Sequence, residues 1–331
     1  MTASFSKLQA VTNALRGRYR RFTDRERKAR IAALRKMGEQ LSMQGGDEPY
    51  AGPQELLSIA RKFRASDNVA LIDGKIPLVW WTQTDNYGDL LSPWLVSRIA
   101  KRPVTYAPSG QTSYLAIGSI IKHARTESIV WGSGAFGSER KWSFKTATRY
   151  AAVRGPLTRS RLRNIGLPVP RVYGDPALLT PLYFYPAVEK DVEVGIVVRW
   201  SENTWRGIKD VAGVKIIDLG TADVEGVTRQ IMACKRIISS SLHGLVIADA
   251  YGIPNAWLES DGGAGGSRPE GGEFKFYDYM VAVNKVRHAQ SIDLTQPLSV
   301  ERLLSEFKFS GEAIDFDFEA LLDACPFVER I

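Results

Sequence analysis

Short apolar segments alternate with longer helical patterns from residue 76 to residue 258, and this alternation constrains the fold more than any other feature. The apolar segments, which we predict to be strands, span residues 76–81, 114–117, 129–132, 149–153, 171–173, 193–199, 214–218, 236–239 and 255–258. Continuous apolar runs are typical of strands that are buried on both faces. The sequence therefore predicts an α/β fold in which helices cover parallel sheets.

The segment 176–189 contains three prolines and interrupts this alternation, which predicts a crossing between two α/β halves. We expect a helical arm with a linker at 1–65, a first Rossmann-like half at 66–185, and a second half with C-terminal helices at 186–331. A short helix is expected at 54–64. Ligands of such sheets bind at the carboxyl ends of the strands, so the predicted site is a cleft between the two halves.

Positive charge is concentrated at the N-terminus. Residues 1–43 hold 11 Lys and Arg against 3 Asp and Glu, whereas the remaining residues carry equal numbers of each sign. The apolar spacing between residues 8 and 41 predicts one or two basic amphipathic helices. Such an arm either packs against the body with a solvated basic face or rests on anionic lipid headgroups. Nucleic acid is not an expected partner, because the body has no basic surplus and no nucleic-acid motif.

Composition also predicts a cytoplasmic protein, peripheral at most on the inner face of the membrane. No apolar run reaches the ~18 residues that cross a bilayer, and the N-terminus lacks the apolar core of a signal peptide. The two cysteines, Cys234 and Cys325, indicate a reducing compartment rather than a disulfide framework. Because no His, Cys or carboxylate cluster has metal-ligand spacing, we expect neither a metal nor a cofactor.

The segment Ser240-Ser241-Leu242-His243-Gly244 joins a predicted strand to a predicted helix. The first turn of a helix offers free N–H groups and a positive dipole end, and both favour an anion. His243 is a candidate for proton transfer to or from whatever binds there. The alternative is an ordinary serine cap followed by a structural histidine.

Two further turns follow predicted strands. In Asn86-Tyr87-Gly88-Asp89, Gly88 permits close approach of a ligand, and Asn86 and Asp89 add polar groups; the alternative is a turn with an Asp cap. Gly132-Ser133-Gly134 begins a G-x-G-x-x-G pattern. We reject a dinucleotide site there, because the next strand ends in Arg154 rather than in an acidic residue. A glycine-lined wall near an anion remains the prediction.

Three cations are predicted to reach the cleft. Arg154 and Arg199 each end a predicted strand, and Lys275 follows the glycine-rich stretch 262–272, which is typical of a mobile lid. The forked guanidinium of Arg154 suits a phosphate or a carboxylate. The alternative for Arg154 and for Lys275 is a solvated surface position.

Asp175 and two tryptophans are candidates for contact with a second substrate. Asp175 follows the predicted strand 171–173, where the alternative is a structural turn. The rings of Trp200 and Trp205 suit the apolar face of a sugar, although core packing is the commoner environment of a tryptophan.

Six motifs occur together in order: Asn86-Tyr87-Gly88-Asp89, Gly132-Ser133-Gly134, Val153-Arg154-Gly155-Pro156, Gly174-Asp175-Pro176-Ala177, Ser240-Ser241-Leu242-His243-Gly244 and Phe276-Tyr277-Asp278-Tyr279. In this order the chain resembles the polysaccharide pyruvyl transferase family over residues 75–290, and most closely the bacterial exopolysaccharide ketal-pyruvate enzymes. The resemblance implies two Rossmann-like halves arranged as in GT-B glycosyltransferases. It also implies phosphoenolpyruvate as the donor and a saccharide, expected to be lipid-linked, as the acceptor.

The resemblance implies roles for the candidate residues. Pyruvate would pass to two hydroxyls of one sugar, leaving a cyclic ketal and phosphate, with His243, Arg154 and Asp89 as the catalytic set. Donor binding would fall to Asn86, Gly88, Ser133, Gly134, Arg199, Ser240, Ser241, Leu242 and Lys275, and acceptor binding to Asp175, Trp200 and Trp205. Some relatives carry an Arg where this chain has Ser241, so Arg199, Lys275 or Arg268 would replace it.

Two other functions stay open from the sequence. A glycosyltransferase with a nucleotide-sugar donor would use the same fold. A non-catalytic carbohydrate-binding protein at the membrane surface would use the basic arm. Release of free phosphate distinguishes a pyruvyl transferase from both.

Overall fold

The computed structural model describes residues 24–44, 48–125, 127–144, 149–202, 204–205, 207–260 and 271–331. The helices are α1 (Asp24–Met43), α2 (Gln54–Ala60), α3 (Tyr87–Ala100), α4 (Pro156–Arg163), α5 (Thr180–Tyr183), α6 (Val224–Met232), α7 (Leu242–Ala250), α8 (Phe274–Ala282), α9 (Val300–Glu306) and α10 (Phe318–Asp323). The strands are β1 (Phe63–Ala65), β2 (Ile76–Val79), β3 (Val104–Tyr106), β4 (Ser113–Leu115), β5 (Ser128–Trp131), β6 (Arg149–Ala152), β7 (Val194–Val198), β8 (Val214–Asp218), β9 (Ile237–Ser239), β10 (Asn255–Trp257) and β11 (Val328–Arg330).

Two parallel sheets form the body of the protein, which confirms the predicted mixed α/β class. The first sheet has five strands in the order β3-β2-β4-β5-β6, and the second has four in the order β10-β9-β7-β8. Every residue of β2 and β7 is buried, as expected of parallel strands covered on both faces. The domain boundaries at 65/66 and 185/186 stay a prediction.

Two local predictions need correction. The predicted strand 171–173 contributes only an isolated bridge between Val153 and Tyr173. Helix α2 ends at Ala60, because residues 63–65 form a strand that pairs antiparallel with β11. Strand β3 was not predicted, since its three residues are too few to show a pattern.

The β1–β11 ribbon brings the end of the chain against the first sheet. Phe63 of β1 is paired with Arg330 of β11. Nearby, the ring of Phe327 packs edge-on against Tyr114 of β4, and Trp131 of β5 donates its indole N–H to the Leu321 carbonyl. Residues 318–330 therefore complete the cover of the first sheet.

A continuous core joins the two sheets. Buried side chains from both sheets and from α3 and α7 pack in one cluster. Tyr87, the first residue of α3, donates its backbone N–H to the Leu219 carbonyl, and its hydroxyl lies 2.9 Å from the Thr228 hydroxyl of α6. The beginning of α3 is thus held by the second half of the chain.

Helix α1 packs on the body through one face, which is compatible with both interpretations of the basic arm. Within it, Leu34, Gly38 and Ser42 are buried. Ser42 Oγ accepts the Val104 N–H, and Glu39 Oε1 accepts the Tyr106 N–H. These side chains satisfy donors that edge strand β3 would otherwise leave open. The predicted arm residues before 24 lie outside the described residues.

The opposite face of α1 is basic and exposed. It carries Arg25, Arg27, Lys28, Arg30, Arg35 and Lys36. In the part of the chain that the structure describes, none of the helices combines the length and the apolar character needed to span a membrane.

Substitution of Gly38 by Ala tests the packing of α1. A Cβ at this position would lie 2.6 Å from Cζ2 of the buried Trp80 ring. An exposed helical Gly→Ala change gains ~0.5–1 kcal/mol, but overpacking costs about 1–3 kcal/mol. We therefore expect Gly38→Ala to lower the free energy of unfolding in urea. The exposed variant Ala33→Gly also lowers it, but because glycine has a lower helix propensity than alanine and not because of packing. A more stable Gly38→Ala protein would contradict this packing.

Candidate active site

Predicted site residues lie at the points where the strand order of each sheet reverses. In the first sheet β2 lies between β3 and β4, and in the second β7 lies between β8 and β9. Ligands of open α/β sheets bind at the carboxyl ends of strands at such points. Asn86 and Asp89 follow β2, Arg199 follows β7, and Ser240 and His243 follow β9.

Gly88 and His243 bring the two sets of strand ends together. His243 is the second residue of α7, and its Nδ1 edge packs so closely against Gly88 that a Cβ there would overlap the ring. Only glycine therefore fits at position 88 with the imidazole in this place. Gly88 was predicted to permit the close approach of a ligand. In this structure the group that approaches it closely is the His243 imidazole.

The His243 imidazole is neutral at physiological pH. Burial, followed by the positive charges of Lys275 and Arg154, lowers the pKa of His243 to about 3. Its Nε2 lies 3.8 Å from Oδ2 of Asp175. A neutral imidazole among cations can accept a proton, and an anion bound nearby would raise its pKa.

Arg154 is enclosed rather than open to the cleft, which corrects the expectation that it lies at the cleft surface. Its side chain is 0% exposed and pairs with the equally buried Asp278, 3.1 Å from Nε. The other guanidinium nitrogens donate to Ser119 Oγ at 2.6 Å and to the Ala135 carbonyl at 2.7 Å. Gly134 lies against the guanidinium, where a Cβ would overlap it. Arg154 thus acts on His243 and Lys275 through its positive charge, and it holds the glycine turn at 132–134 in place.

Asp278 is a functional candidate to which sequence reasoning gave no role. Its carboxylate accepts the Thr158 N–H at 2.8 Å and the Thr158 hydroxyl at 2.6 Å, in addition to Arg154. The carboxylate therefore joins α8 to the beginning of α4. The available signal was an acidic residue between apolar positions in the motif Phe276-Tyr277-Asp278-Tyr279.

Asp89 and Lys275 both titrate near neutrality. Burial raises the pKa of Asp89 to about 7, although the hydrogen bond from Asn86 Nδ2 and the charge of Lys275 oppose the rise. Burial, then the charges of Arg199 and Arg154, lower the pKa of Lys275 to about 7. Groups that exchange protons near pH 7 in a cleft are candidates for acid–base catalysis.

The serine turn before α7 is held by its own hydrogen bonds. Ser240 Oγ accepts the Arg199 N–H at 3.1 Å, and Ser239 Oγ accepts the Ser241 N–H at 3.0 Å. Ser241 occupies the N-cap position of α7, and Leu242 is its first helical residue. These contacts fix the carboxyl ends of β7 and β9 relative to each other.

Several buried polar atoms around this cluster have no hydrogen-bond partner. They include Ser133 Oγ, Asp175 Oδ2 and His243 Nε2. Buried polar groups are nearly always satisfied in folded proteins, so a group of unsatisfied ones indicates a place for a ligand or a shift on ligand binding.

The structure does not bring every predicted residue to the cluster. Trp205 is 6% exposed and packs in the core of the second sheet, which contradicts its expected sugar contact. Trp200 is 39% exposed. Asp175 lies in the cluster, where it is fully buried and faces His243, and its contact with an acceptor stays a prediction.

Two further expectations are not decided by the described ranges. The predicted lid at 262–272 and Arg268 fall largely or wholly within residues 261–270, outside the described residues. Among the residues that are described, no group of three His, Cys, Asp or Glu side chains is arranged to hold a metal ion. Independence from metals and cofactors stays a prediction.

One family model matches most of the chain. A family model described as Polysaccharide pyruvyl transferase matches residues 5–262. Succinoglycan biosynthesis protein ExoV of Rhizobium meliloti (strain 1021) is 27% identical over 187 residues, which are 54% of this chain and 57% of that protein. Uncharacterized protein L143 of Acanthamoeba polyphaga mimivirus is 25% identical over 222 residues, which are 62% of this chain and 74% of that protein.

One solved structure, an uncharacterized protein of Klebsiella pneumoniae, is 15% identical with a TM-score of 0.37. The match covers 56% of this chain and 84% of that one. This similarity is too low to support an argument about fold or function.

Substitution of Asp89 by Asn tests the environment of the cluster. The pKa of Asp89 in the folded protein is about 7, above the ordinary 3.8. Between these pH values the folded state therefore binds more protons than the unfolded state. The free energy of unfolding of the wild type falls as pH rises through this range. Asn does not ionise. We therefore expect the stability of Asp89→Asn relative to wild type to rise from about pH 4 to about pH 7 and then level off in urea titrations.

Asp293→Asn is the control for this prediction. Hydrogen bonds from Thr295 lower the pKa of the exposed Asp293, so its relative stability should change with the opposite sign, falling as pH rises through the ordinary range of a carboxyl. A stability difference for Asp89→Asn that is the same at every pH would show that Asp89 is not in the environment described.

Proposed function

The chain belongs to the polysaccharide pyruvyl transferase family, and from this premise we propose that it transfers pyruvate from phosphoenolpyruvate to two hydroxyls of one sugar in an exopolysaccharide precursor. The products are a cyclic ketal and phosphate. The saccharide is proposed to be lipid-linked, and the reaction to take place in the cytoplasm. ExoV, a succinoglycan biosynthesis protein by name, supports an acceptor in exopolysaccharide synthesis.

The observation that carries this proposal is a set of three cations, two of which act directly on the neutral imidazole of His243. Arg154 and Lys275 lower the pKa of His243, and Arg199 and Arg154 lower the pKa of Lys275, so their charges act on one another. Such mutual repulsion is relieved by an anion. Phosphoenolpyruvate carries a phosphate and a carboxylate, and its charge is complementary to this cluster.

The same cations offer a replacement for the arginine that some relatives carry at Ser241. Arg199 lies at the end of β7, and its backbone N–H is bound to Ser240, directly before Ser241. Lys275 approaches from α8. We propose that Arg199 and Lys275 bind the charged groups of the donor. Arg154, which is buried behind Gly134, stabilises the same negative charges through its own positive charge.

The chemistry requires two protons to leave the sugar. The first hydroxyl adds to the central carbon of the donor, and the methylene carbon takes up a proton to become the methyl group. The second hydroxyl then displaces phosphate, and its proton leaves with the phosphate. Neutral His243 is suited to accept the proton of an attacking hydroxyl, and Asp89, whose pKa is about 7, to supply the proton of the methyl group.

A GT-B-like arrangement belongs to the same proposal. Two parallel sheets, whose order reverses at the strand ends that carry the cluster, support two Rossmann-like halves around a cleft. The donor would lie between the carboxyl ends of β2 and β7, with the acceptor sugar on the open side of His243.

Substitution of His243 by Gln tests the assignment. Loss of one proton-transfer group costs ~10²–10⁴-fold in rate, and we expect that loss in phosphoenolpyruvate-dependent release of phosphate across a panel of lipid-linked saccharides. The exposed His288→Gln is the matched control and should retain wild-type rates. His243→Gln at near wild-type rate would remove His243 from the mechanism.

Product analysis separates the other functions in the same assay. A nucleoside diphosphate released from a nucleotide sugar, without phosphate from phosphoenolpyruvate, would identify a glycosyltransferase. Saccharide binding with neither product would identify a non-catalytic carbohydrate-binding protein. Either result overturns the proposed reaction.

We also propose that the exposed basic face of α1 contacts anionic lipid, which would bring the site to a lipid-linked acceptor. Deletion of residues 1–43 is a poor test, because α1 also supplies the buried side chains and the hydrogen bonds that cover β3. Substitution on its exposed face leaves that packing intact.

The variant Arg27→Gln/Lys28→Gln/Lys36→Gln removes three exposed charges from α1. At about 1 kcal/mol for each basic side chain at an anionic surface, its affinity for phosphatidylserine vesicles should fall on the order of 10²-fold in flotation. The control Lys190→Gln/Lys209→Gln/Lys308→Gln removes the same charge from exposed positions elsewhere and should bind like wild type. Equal loss in both variants would indicate an effect of net charge alone.

A further inference from the structure

Asp175 and His243 direct two unsatisfied polar atoms at each other. Asp175 Oδ2 and His243 Nε2 lie 3.8 Å apart, both are buried, and neither has a hydrogen-bond partner. This separation is longer than a hydrogen bond. Catalytic hydrogen bonds are often long without substrate and tighten when it binds.

The Asp175 carboxylate is fixed in place by its surroundings. Its Oδ1 accepts the Ala177 N–H at 3.1 Å, at the beginning of the 3₁₀ turn Pro176–Leu179. The side chain is fully buried, and Pro176 packs so closely on Gly132 that a Cβ there would overlap it. Because Oδ1 is committed to Ala177, Oδ2 is the atom that faces the imidazole.

The imidazole is equally restricted. Gly88 lies against its Nδ1 edge, and Nε2 is buried on the side of Asp175. The side chain is 12% exposed, and because Nε2 is buried, that exposure belongs to other atoms of the side chain. The edge that a ligand can reach is therefore not the Nε2 edge.

We propose that Asp175 is a positioning residue that holds the proton of His243 on Nε2 and so places the lone pair of the neutral ring on Nδ1. A carboxylate only accepts hydrogen bonds, so it favours the tautomer with the N–H directed toward it. The use of the Nδ1 lone pair rests on the proposed function, whereas the position of the proton does not.

The charge state of Asp175 agrees with this role. Burial raises the pKa of Asp175 to about 6, although the Ala177 N–H and the charge of Arg154 oppose the rise. Above neutral pH the group is therefore ionised and cannot donate to Nε2.

Asp175→Asn reverses the hydrogen bond without changing the shape of the side chain. The amide oxygen is expected to keep the Ala177 N–H, which directs the amide nitrogen at Nε2. That nitrogen only donates, so it requires a lone pair on Nε2 and moves the proton of the ring to Nδ1.

The experiment is ¹⁵N NMR of ring-labelled histidines in the full chain. The chain has only three histidines, so His123→Gln and His288→Gln complete the assignment of His243. Above neutral pH we expect the Nε2–H tautomer in wild type and the Nδ1–H tautomer in Asp175→Asn. A wild-type Nδ1–H tautomer would overturn the proposal whether or not the variant folds.

Asp223→Asn is the matched control. Asp223 likewise accepts a backbone N–H, from Gly226 at 2.9 Å, at the N-cap of α6. It should leave the His243 tautomer unchanged. A wild-type Nδ1–H tautomer, or Nε2–H in both wild type and Asp175→Asn, would overturn the role of Asp175.

Kinetics then test the functional consequence. We expect Asp175→Asn to lower kcat for phosphate release ~10²–10⁴-fold, with KM for phosphoenolpyruvate changed much less, because the donor's contacts are retained. The expected tautomers in a protein that never releases phosphate would refute the proposed function and leave the Asp175–His243 relation standing. The expected tautomers with an unchanged kcat in Asp175→Asn would refute the use of Nδ1.

Discussion

The buried ion pair between Arg154 and Asp278 is the interaction on which the site depends. Removing two such charges from water costs several kcal/mol for each ion, and the cost is offset only by close pairing and further hydrogen bonds. Here Ser119 and the Ala135 carbonyl satisfy the guanidinium, and Thr158 satisfies the carboxylate. The pair joins α8, from the second half of the chain, to the strand ends of the first sheet. It fixes the helix that carries Lys275.

Desolvation is the common cause of the unusual charge states in the cluster. Burial is the largest contribution to the pKa shifts of Asp89, Asp175, His243 and Lys275, and it favours the neutral form of each group. Arg154 adds the positive charge of a guanidinium beside them. The cluster therefore combines a positive charge with groups that gain or lose protons easily. That combination suits an anionic substrate whose reaction moves protons.

Much of the site was predictable because it lies in local sequence patterns. A turn of small and polar residues after an apolar strand identifies Gly88, Asp89 and His243 without any knowledge of tertiary contacts. The burial of Arg154 was not predictable, since its partner Asp278 is 124 residues away and no pattern links them. The contact of Asp175 with His243 was not predictable for the same reason: its turn was recognised, but the side chain that it faces comes from α7.

The antiparallel ribbon of β1 and β11 has a consequence for how the chain matures. The first sheet comes from the early part of the sequence, yet residues 318–330 supply its last cover through Trp131, Tyr114 and Phe63. During synthesis, apolar surface on that sheet stays open until those residues emerge from the ribosome. The first sheet therefore cannot complete its apolar cover as it is synthesised, and its final packing waits for the last helix and strand of the described chain.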